Sequence, residues 1–284
     1  MIRRTFAVLL VVTAPVLGAQ EQVFSGSVPS GSWLRIRNYK GDVRVSETSG
    51  STVTVSARRR DDNTRFEVKR DGNNVTICAM TEYTTRCDAR GYNSHSTRRD
   101  QTISRSDLTV SLPRGLKLLA STGNGDVDIR GAGEEVSASS GNGEVNVSGA
   151  RGRVSASTGN GEVRVESAEG DVDVTSGNGD IFVTTTKGPV SANTGNGSID
   201  VTMRSLSGTE SMDFNTGNGT ITVAFPANLS ARVQANGAFR DFESDFPIEM
   251  GSGWASNRVR GTIGSGARDI HFSTGNGRIR IKKI

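Results

Sequence analysis

The sequence predicts an all-β protein, a single-stranded β-solenoid (β-helix) of about 18-residue coils with irregular N- and C-terminal caps. Three observations predict it. Gly-Asn-Gly begins at Gly123, Gly141, Gly159, Gly177 and Gly195, each 18 residues after the last, and returns at Gly217 and Gly275; such a period is the signature of stacked repeats. The residues flanking each Gly-Asn-Gly alternate apolar and polar, as half-buried strands require. The composition suits a thin core with many turns: 5% of residues are aromatic and 35 of 284 are glycine, about 12% against the usual ~7%.

Residues 1–19 read as a signal peptide. Met1-Ile2-Arg3-Arg4 precedes an apolar run from Phe6 to Leu17 and the small pair Gly18-Ala19. That order of charge, short apolar core and small residues marks export, to the periplasm, cell surface or exterior, with cleavage after Gly18 or Ala19. The run is too short for a membrane span, and no later segment is long enough.

Residues 20–117 read as an N-terminal cap and first coils. Leu34 to Val45 matches the repeat template position for position, so a first coil starts near Trp33. Val53 and Val55, Phe66 and Val68, Val75 and Ile77, then Leu108 and Val110 extend the alternation without its register. Residues 79–106 are an excursion, either a mobile insertion or a candidate binding loop carrying Tyr83, Arg86, Arg90, Tyr92, Arg98 and Arg99; long loops often carry function. Cys78 and Cys87 bracket its first part. In an exported chain with two cysteines a disulfide is the default, and a metal pair with nearby His95 is the alternative.

Residues 118–223 are the regular solenoid. Leu118, Val136, Val154, Val172, Val190 and Met212 form one inward column and Ala120, Ala138, Ala156, Val174, Ala192 and Phe214 its neighbour. After the turn, Val127, Val145, Val163, Ile181, Ile199 and Ile221 form a third, and Ile129, Val147, Val165, Val183, Val201 and Val223 a fourth. Like residues recur at the repeat period because coils stack about 4.8 Å apart. Four such side chains bury too little to order a coil alone, so stability is collective. The turn residues are Asn124, Asn142, Asn160, Asn178, Asn196, Asn218 and Asn276. Asn and Gly tolerate positive φ, and turn geometry alone explains them; a ladder of stacked amides is the alternative. A local hairpin at each Asn-Gly is the rival fold.

Residues 224–284 read as degenerate coils and a C-terminal cap. Ala231 to Gly237 is a worn repeat, and Phe239, Phe242, Phe246 and Trp254 are read as a cap plug, with a ligand platform as the alternative. Asp269 to Ile281 restores the template, and Lys282 and Lys283 are read as charges guarding an exposed edge.

Chemistry is hard to find. The position after Gly-Asn-Gly reads Asp126, Glu144, Glu162, Asp180, Ser198, Thr220 and Arg278, a drift that argues against calcium in every turn. Two histidines, His95 and His271, offer little for acid–base work, and His271 falls on an outward strand position. No nucleophile or nucleotide motif occurs, so neither a cofactor nor enzymatic activity is expected. Pairs such as Asp126 and Asp128 keep a carbohydrate-active β-helix enzyme as the alternative. Charge is uneven: residues 118–223 carry 6 basic and 14 acidic groups, −8, while the whole chain is +4. A nucleic-acid binder would need a continuous basic stripe. A face bearing Ser137, Ser139, Ser155, Ser157, Thr175, Ser191 and Asn193, broken by Asp173, would suit a glycan or another surface, or is simply the wet side of a strand.

The recurrent Gly-Asn-Gly-Asp/Glu-Val units, Gly41-Asp42-Val43-Arg44-Val45 and the ending from Gly261 to Ile281 resemble the bacterial "putative adhesin" domain-of-unknown-function family. The resemblance runs from about Phe24 to the end. It implies an exported β-strand-repeat protein and brings no catalytic residues. The expected role is an adhesin or cell-envelope scaffold with an unknown surface, glycan or protein partner, or self-assembly between copies. An envelope-stress accessory protein is a further alternative.

Overall fold

The structure, a computed structural model, describes residues 20–59, 64–82, 84–94, 105–238, 241–250 and 258–284. The leader at 1–19 lies outside them, as do Tyr83, His95, Arg98, Arg99, Phe239 and Trp254.

Two long sheets face each other. The leading sheet, 13-stranded, holds the strands that run into the Gly-Asn-Gly turns, and the trailing sheet, 12-stranded, holds those that leave them. From Lys117–Asn124 and Val127–Ala132 to Met212–Asn218 and Ile221–Phe225 the chain alternates between the two. Neighbouring coils pair in parallel and in register, with Ala138 opposite Ala156 and Val145 opposite Val163. Gly-Asn-Gly therefore does not fold its flanks onto each other, and the hairpin reading is excluded. A β-solenoid is the result.

All four inward columns are buried, with Val163, Val165, Val154 and Ala156 each 0–1% exposed. A parallel in-register stack puts each side chain on its equivalent one coil away, so an aliphatic column seals itself. Phe214 and Phe272 continue this as a ring stack with centroids 5.3 Å apart.

The coil Trp33–Arg37 and Val43–Thr48 sits on coil 117–132, with Leu34 opposite Leu118 and Val43 opposite Val127. Outside it lie Asn74–Met80 in the leading sheet and Ser106–Pro113 in the trailing sheet. In that outer coil the chain between the two strands includes the hairpin Thr84–Asp88 and Gly91–Ser94. Antiparallel strands then close this end: Arg65–Asp71 on one sheet, Thr52–Arg59 and Gln20–Ser27 on the other.

The far end reverses the order of the sequence. The closing unit, Asp269–Asn276 and Arg278–Lys283, stacks directly on coil 212–225. Ala231–Gly237 and Asp241–Ser244, earlier in the chain, lie outside it. Ile270, Phe272, Ile279 and Ile281 continue the rows of Met212, Phe214, Ile221 and Val223 more fully than Val233 and Ala235 could. This corrects the edge assignment: Lys282 and Lys283 are exposed, but the trailing sheet ends at Asp241–Ser244. The leading sheet continues through antiparallel Arg258–Ile263 to Glu249–Met250. Phe246 is buried and Phe242 packs against the core.

Candidate interaction surface

The turn edge is knitted together by three rows of hydrogen bonds. In the outermost row, Asn142 Nδ2 donates to Asn124 Oδ1 (2.9 Å), Asn160 to Asn142 (2.9 Å), Asn178 to Asn160 (2.9 Å), Asn196 to Asn178 (2.8 Å) and Asn218 to Asn196 (2.9 Å). Turn geometry alone is therefore insufficient: Asn is chosen because its amide both donates and accepts along the stack. None of these asparagines has positive φ, the one non-glycine in that region among the described residues being Ser167. The left-handed residue is the second glycine, such as Gly161 at φ 148°. The first glycine answers a different demand. A Cβ on Gly159 would lie 2.6 Å from the Gly141 carbonyl oxygen of the coil below.

The second row was not read from the sequence. The residue before each Gly-Asn-Gly is always Thr or Ser, and it is buried. Its hydroxyl donates to a glycine carbonyl one coil away: Thr122 to Gly41, Ser140 to Gly125, Thr158 to Gly143, Ser176 to Gly161, Thr194 to Gly179 and Thr216 to Gly197, all at 2.8–3.0 Å, and Thr274 to Gly219 at 3.1 Å. A hydroxyl at a buried position of seven coils was the available signal.

The third row uses the carboxylates. Asp126 Oδ1 accepts the Glu144 N–H at 2.9 Å, and Asp180 Oδ1 accepts that of Ser198 at 2.7 Å. Asp128 pairs with Arg130 at 2.9 Å. Asp126 thus holds the next coil rather than facing Asp128 across a cleft. Among the described residues no group of three or more His, Cys, Asp or Glu is placed to hold a metal, and no helix is long and apolar enough to cross a membrane.

At the N-terminal end the hairpin Thr84–Asp88 and Gly91–Ser94 stands on this edge. Cys78 and Cys87 form a disulfide and are both buried. Arg37 Nε donates to the Asp88 carbonyl at 3.0 Å and Nη2 to that of Ala89 at 3.2 Å. Tyr92 donates to the Ala79 carbonyl at 2.9 Å, and burial raises its phenol above the usual range. Tyr92 therefore anchors the hairpin. Arg86 is exposed and pairs with Asp88 at 3.1 Å, which lowers the Asp88 carboxyl. Arg90 is exposed, and its side chain has no partner among the described residues.

The outer side of the leading sheet is the broadest regular surface. Ser137, Ser155, Asp173 and Ser191 line up across successive strands, and beside them Ser139, Ser157, Thr175, Asn193, Asn215 and Ser273. All are half-buried or exposed, and Asn215 Nδ2 donates to Asn193 Oδ1 at 2.7 Å. Small side chains on an in-register sheet leave a flat array of hydroxyls and amides repeated about every 4.8 Å. Its C-terminal end opens into a groove of about 510 Å³ lined by Gln234, Glu249, Arg260, Thr262 and His271, with Arg232 and Asp269 paired at its side. His271 Nδ1 lies 3.1 Å from Asp213 Oδ1.

The chain that folds this way matches the Toastrack DUF4097 family over residues 32–282. The chain belongs to that family. No curated protein matches it. Solved structures that resemble this Toastrack chain include three bacterial proteins. One is a "putative adhesin" from Bacteroides fragilis NCTC 9343, 11% identical, covering 93% of this chain and 97% of that one, with a TM-score of 0.41. A "putative cell adhesion protein" from Clostridium sporogenes ATCC 15579 is 10% identical, covers 94% and 100%, and has a TM-score of 0.31. A "putative adhesin" from Parabacteroides distasonis ATCC 8503 is 10% identical, covers 93% and 97%, and has a TM-score of 0.27. At these scores none fixes a superposition, and membership rests on the family match.

Proposed function

We propose that this Toastrack chain is an exported, non-catalytic rod that binds another surface, as an adhesin or an envelope scaffold, through the outer face of its leading sheet. The observation that carries this reading is the flat array of Ser137, Ser139, Ser155, Ser157, Thr175, Ser191 and Asn193 on a rigid in-register stack. A surface of small hydrogen-bonding groups at one repeat distance suits a periodic ligand such as a glycan chain, and such a face needs no bound cofactor. The leader-like residues 1–19 supply the route out of the cytoplasm. Asp126, committed to a backbone N–H, supports a binding role over hydrolysis.

The test is binding of the purified chain to whole cells, peptidoglycan and a glycan panel, compared with Ser139→Arg/Ser157→Arg, which roughens the face without touching the core. Retained folding with lost binding supports the proposal. No binding by the parent chain, or equal binding by the double variant, refutes it. N-terminal sequencing of the exported chain tests the leader: a start at Ala19 or Gln20 supports it, and retention of Met1 in the cytoplasm refutes it.

A further inference from the structure

Eight Asn-Gly pairs occur, seven in the Gly-Asn-Gly turns and Asn236-Gly237 at the end of Ala231–Gly237, where Asn236 Oδ1 accepts from Arg258 Nε at 3.2 Å and Gly237 pairs with Thr274. Asn-Gly is the dipeptide most prone to spontaneous deamidation because glycine leaves the following amide nitrogen unhindered. The reaction needs two freedoms. The glycine nitrogen must lose its proton and approach the asparagine Cγ, and the asparagine side chain must swing onto its own backbone.

Six of the seven pairs have neither. The N–H groups of Gly125, Gly143, Gly161, Gly179, Gly197 and Gly219 each donate to the asparagine carbonyl of the next coil, at 2.8–3.1 Å. The preceding side chains, Asn124 to Asn218, are linked by the five bonds of the amide ladder. Attack at any of them breaks contacts between coils, so it waits for local opening. The seventh pair differs. Asn276 lies in register with Asn218, yet the ladder stops at Asn218. Among the described residues neither the Asn276 side-chain amide nor the Gly277 N–H has a hydrogen-bond partner, and Asn276 is exposed. Its carbonyl accepts the Gly219 N–H at 3.1 Å.

We propose that Asn276 is the deamidation site among the seven Gly-Asn-Gly turns of this protein, and that the stacked fold shields the other six. The Gly277 nitrogen attacks Asn276 Cγ, an N–Cγ bond forms, and the amide leaves as ammonia, taking up the proton lost by Gly277. Water then opens the cyclic imide at either carbonyl, giving aspartate or isoaspartate, so the net change is amide plus water to carboxylate plus ammonium. The isoaspartyl product inserts a methylene into the backbone just before Arg278–Lys283, the strand that carries Asp241–Ser244 on its outer side. An aged chain therefore has a looser C-terminal end and an intact rod. This inference is independent of what the rod binds.

The experiment ages the folded full chain in mildly alkaline buffer at body temperature and follows all seven turns, and Asn236-Gly237 separately, by peptide mapping, with isoaspartate distinguished by fragmentation. A urea-unfolded sample is the control for intrinsic sequence effects. The expected result is that Asn276 converts at least about tenfold faster than any other turn when folded, the ratio given by about 1.4 kcal/mol of additional opening free energy, and that this advantage vanishes on unfolding. Asn276→Gln should abolish the fast phase of ammonia release. Equal conversion of an interior turn in the folded chain, the same advantage in the unfolded chain, or a fast phase that persists in the variant would each overturn the proposal.

Discussion

Thr158 and Ser157 are neighbours on opposite faces of one strand, and their hydroxyls should have opposite value. Thr158 is buried and its Oγ1 donates to the Gly143 carbonyl at 2.8 Å. No other donor reaches that carbonyl among the described residues. Thr158→Val keeps the shape, removes the donor and strands a buried acceptor, which costs roughly 1–3 kcal/mol. Ser157 points to solvent from the outer face. Ser157→Val should change stability by no more than about 0.5 kcal/mol, since strands favour Val and nothing is unpaired. Urea unfolding followed by circular dichroism distinguishes them: Thr158→Val should lower the midpoint with an unchanged m-value. A combination with Thr216→Val, several coils away, should be close to additive. Thr158→Val at parental stability, or Ser157→Val as costly as Thr158→Val, would refute the hydroxyl row as a source of cohesion.

The same geometry makes further predictions. Val163→Asp places a carboxylate in a fully buried column and should cost more than about 3 kcal/mol, while the adjacent Glu162→Ser, losing a surface pair with Arg164, should stay within about 0.5 kcal/mol; thermal melts of the two compare them directly. Gly161→Ala puts a Cβ 2.2 Å from the Gly143 oxygen at φ 148°, whereas Gly149→Ser meets nothing nearer than 3.9 Å and copies Ser167 one coil on. Only the first should unfold the chain appreciably earlier in a melt. Glu47 accepts hydrogen bonds from Arg151 (2.6 Å) and Arg114 (2.7 Å), tying together turns of different coils, and Arg151 above all holds its carboxyl below the ordinary value of 4.5. Its contribution is therefore complete above about pH 4.5 and lost as pH falls through the lowered folded value. The Tm difference between the parent and Glu47→Gln should shrink on acidification, and a difference independent of pH would exclude the pairing.

Much of the fold was legible because a parallel in-register stack repeats its environment at a constant interval. Val127, Val145 and Val163 face the same interior, so the chain must use similar residues there. The turn chemistry was only half legible. Gly-Asn-Gly was visible, but positive φ accounts for one glycine of the two, and the first is required by the oxygen of the coil beneath it. The serine-rich outer face was recognisable from alternation, and its C-terminal groove was not, because Gln234, Arg260 and His271 meet there through strand pairing between distant segments. Similarly, nothing local in Arg37 indicates that it holds the carbonyls of Asp88 and Ala89.

By itself the sequence determined the period, the inward columns and the two-faced strands, since these follow from side-chain alternation and from like stacking on like. Only the tertiary structure decided the order of coils at the ends. Asp269–Asn276 displaces the earlier Ala231–Gly237 from coil 212–225, and the hairpin Thr84–Asp88 and Gly91–Ser94 lies between the strands of the outer N-terminal coil. Those outcomes depend on which edge finds the better match of apolar rows among distant strands, a competition that local propensity does not encode.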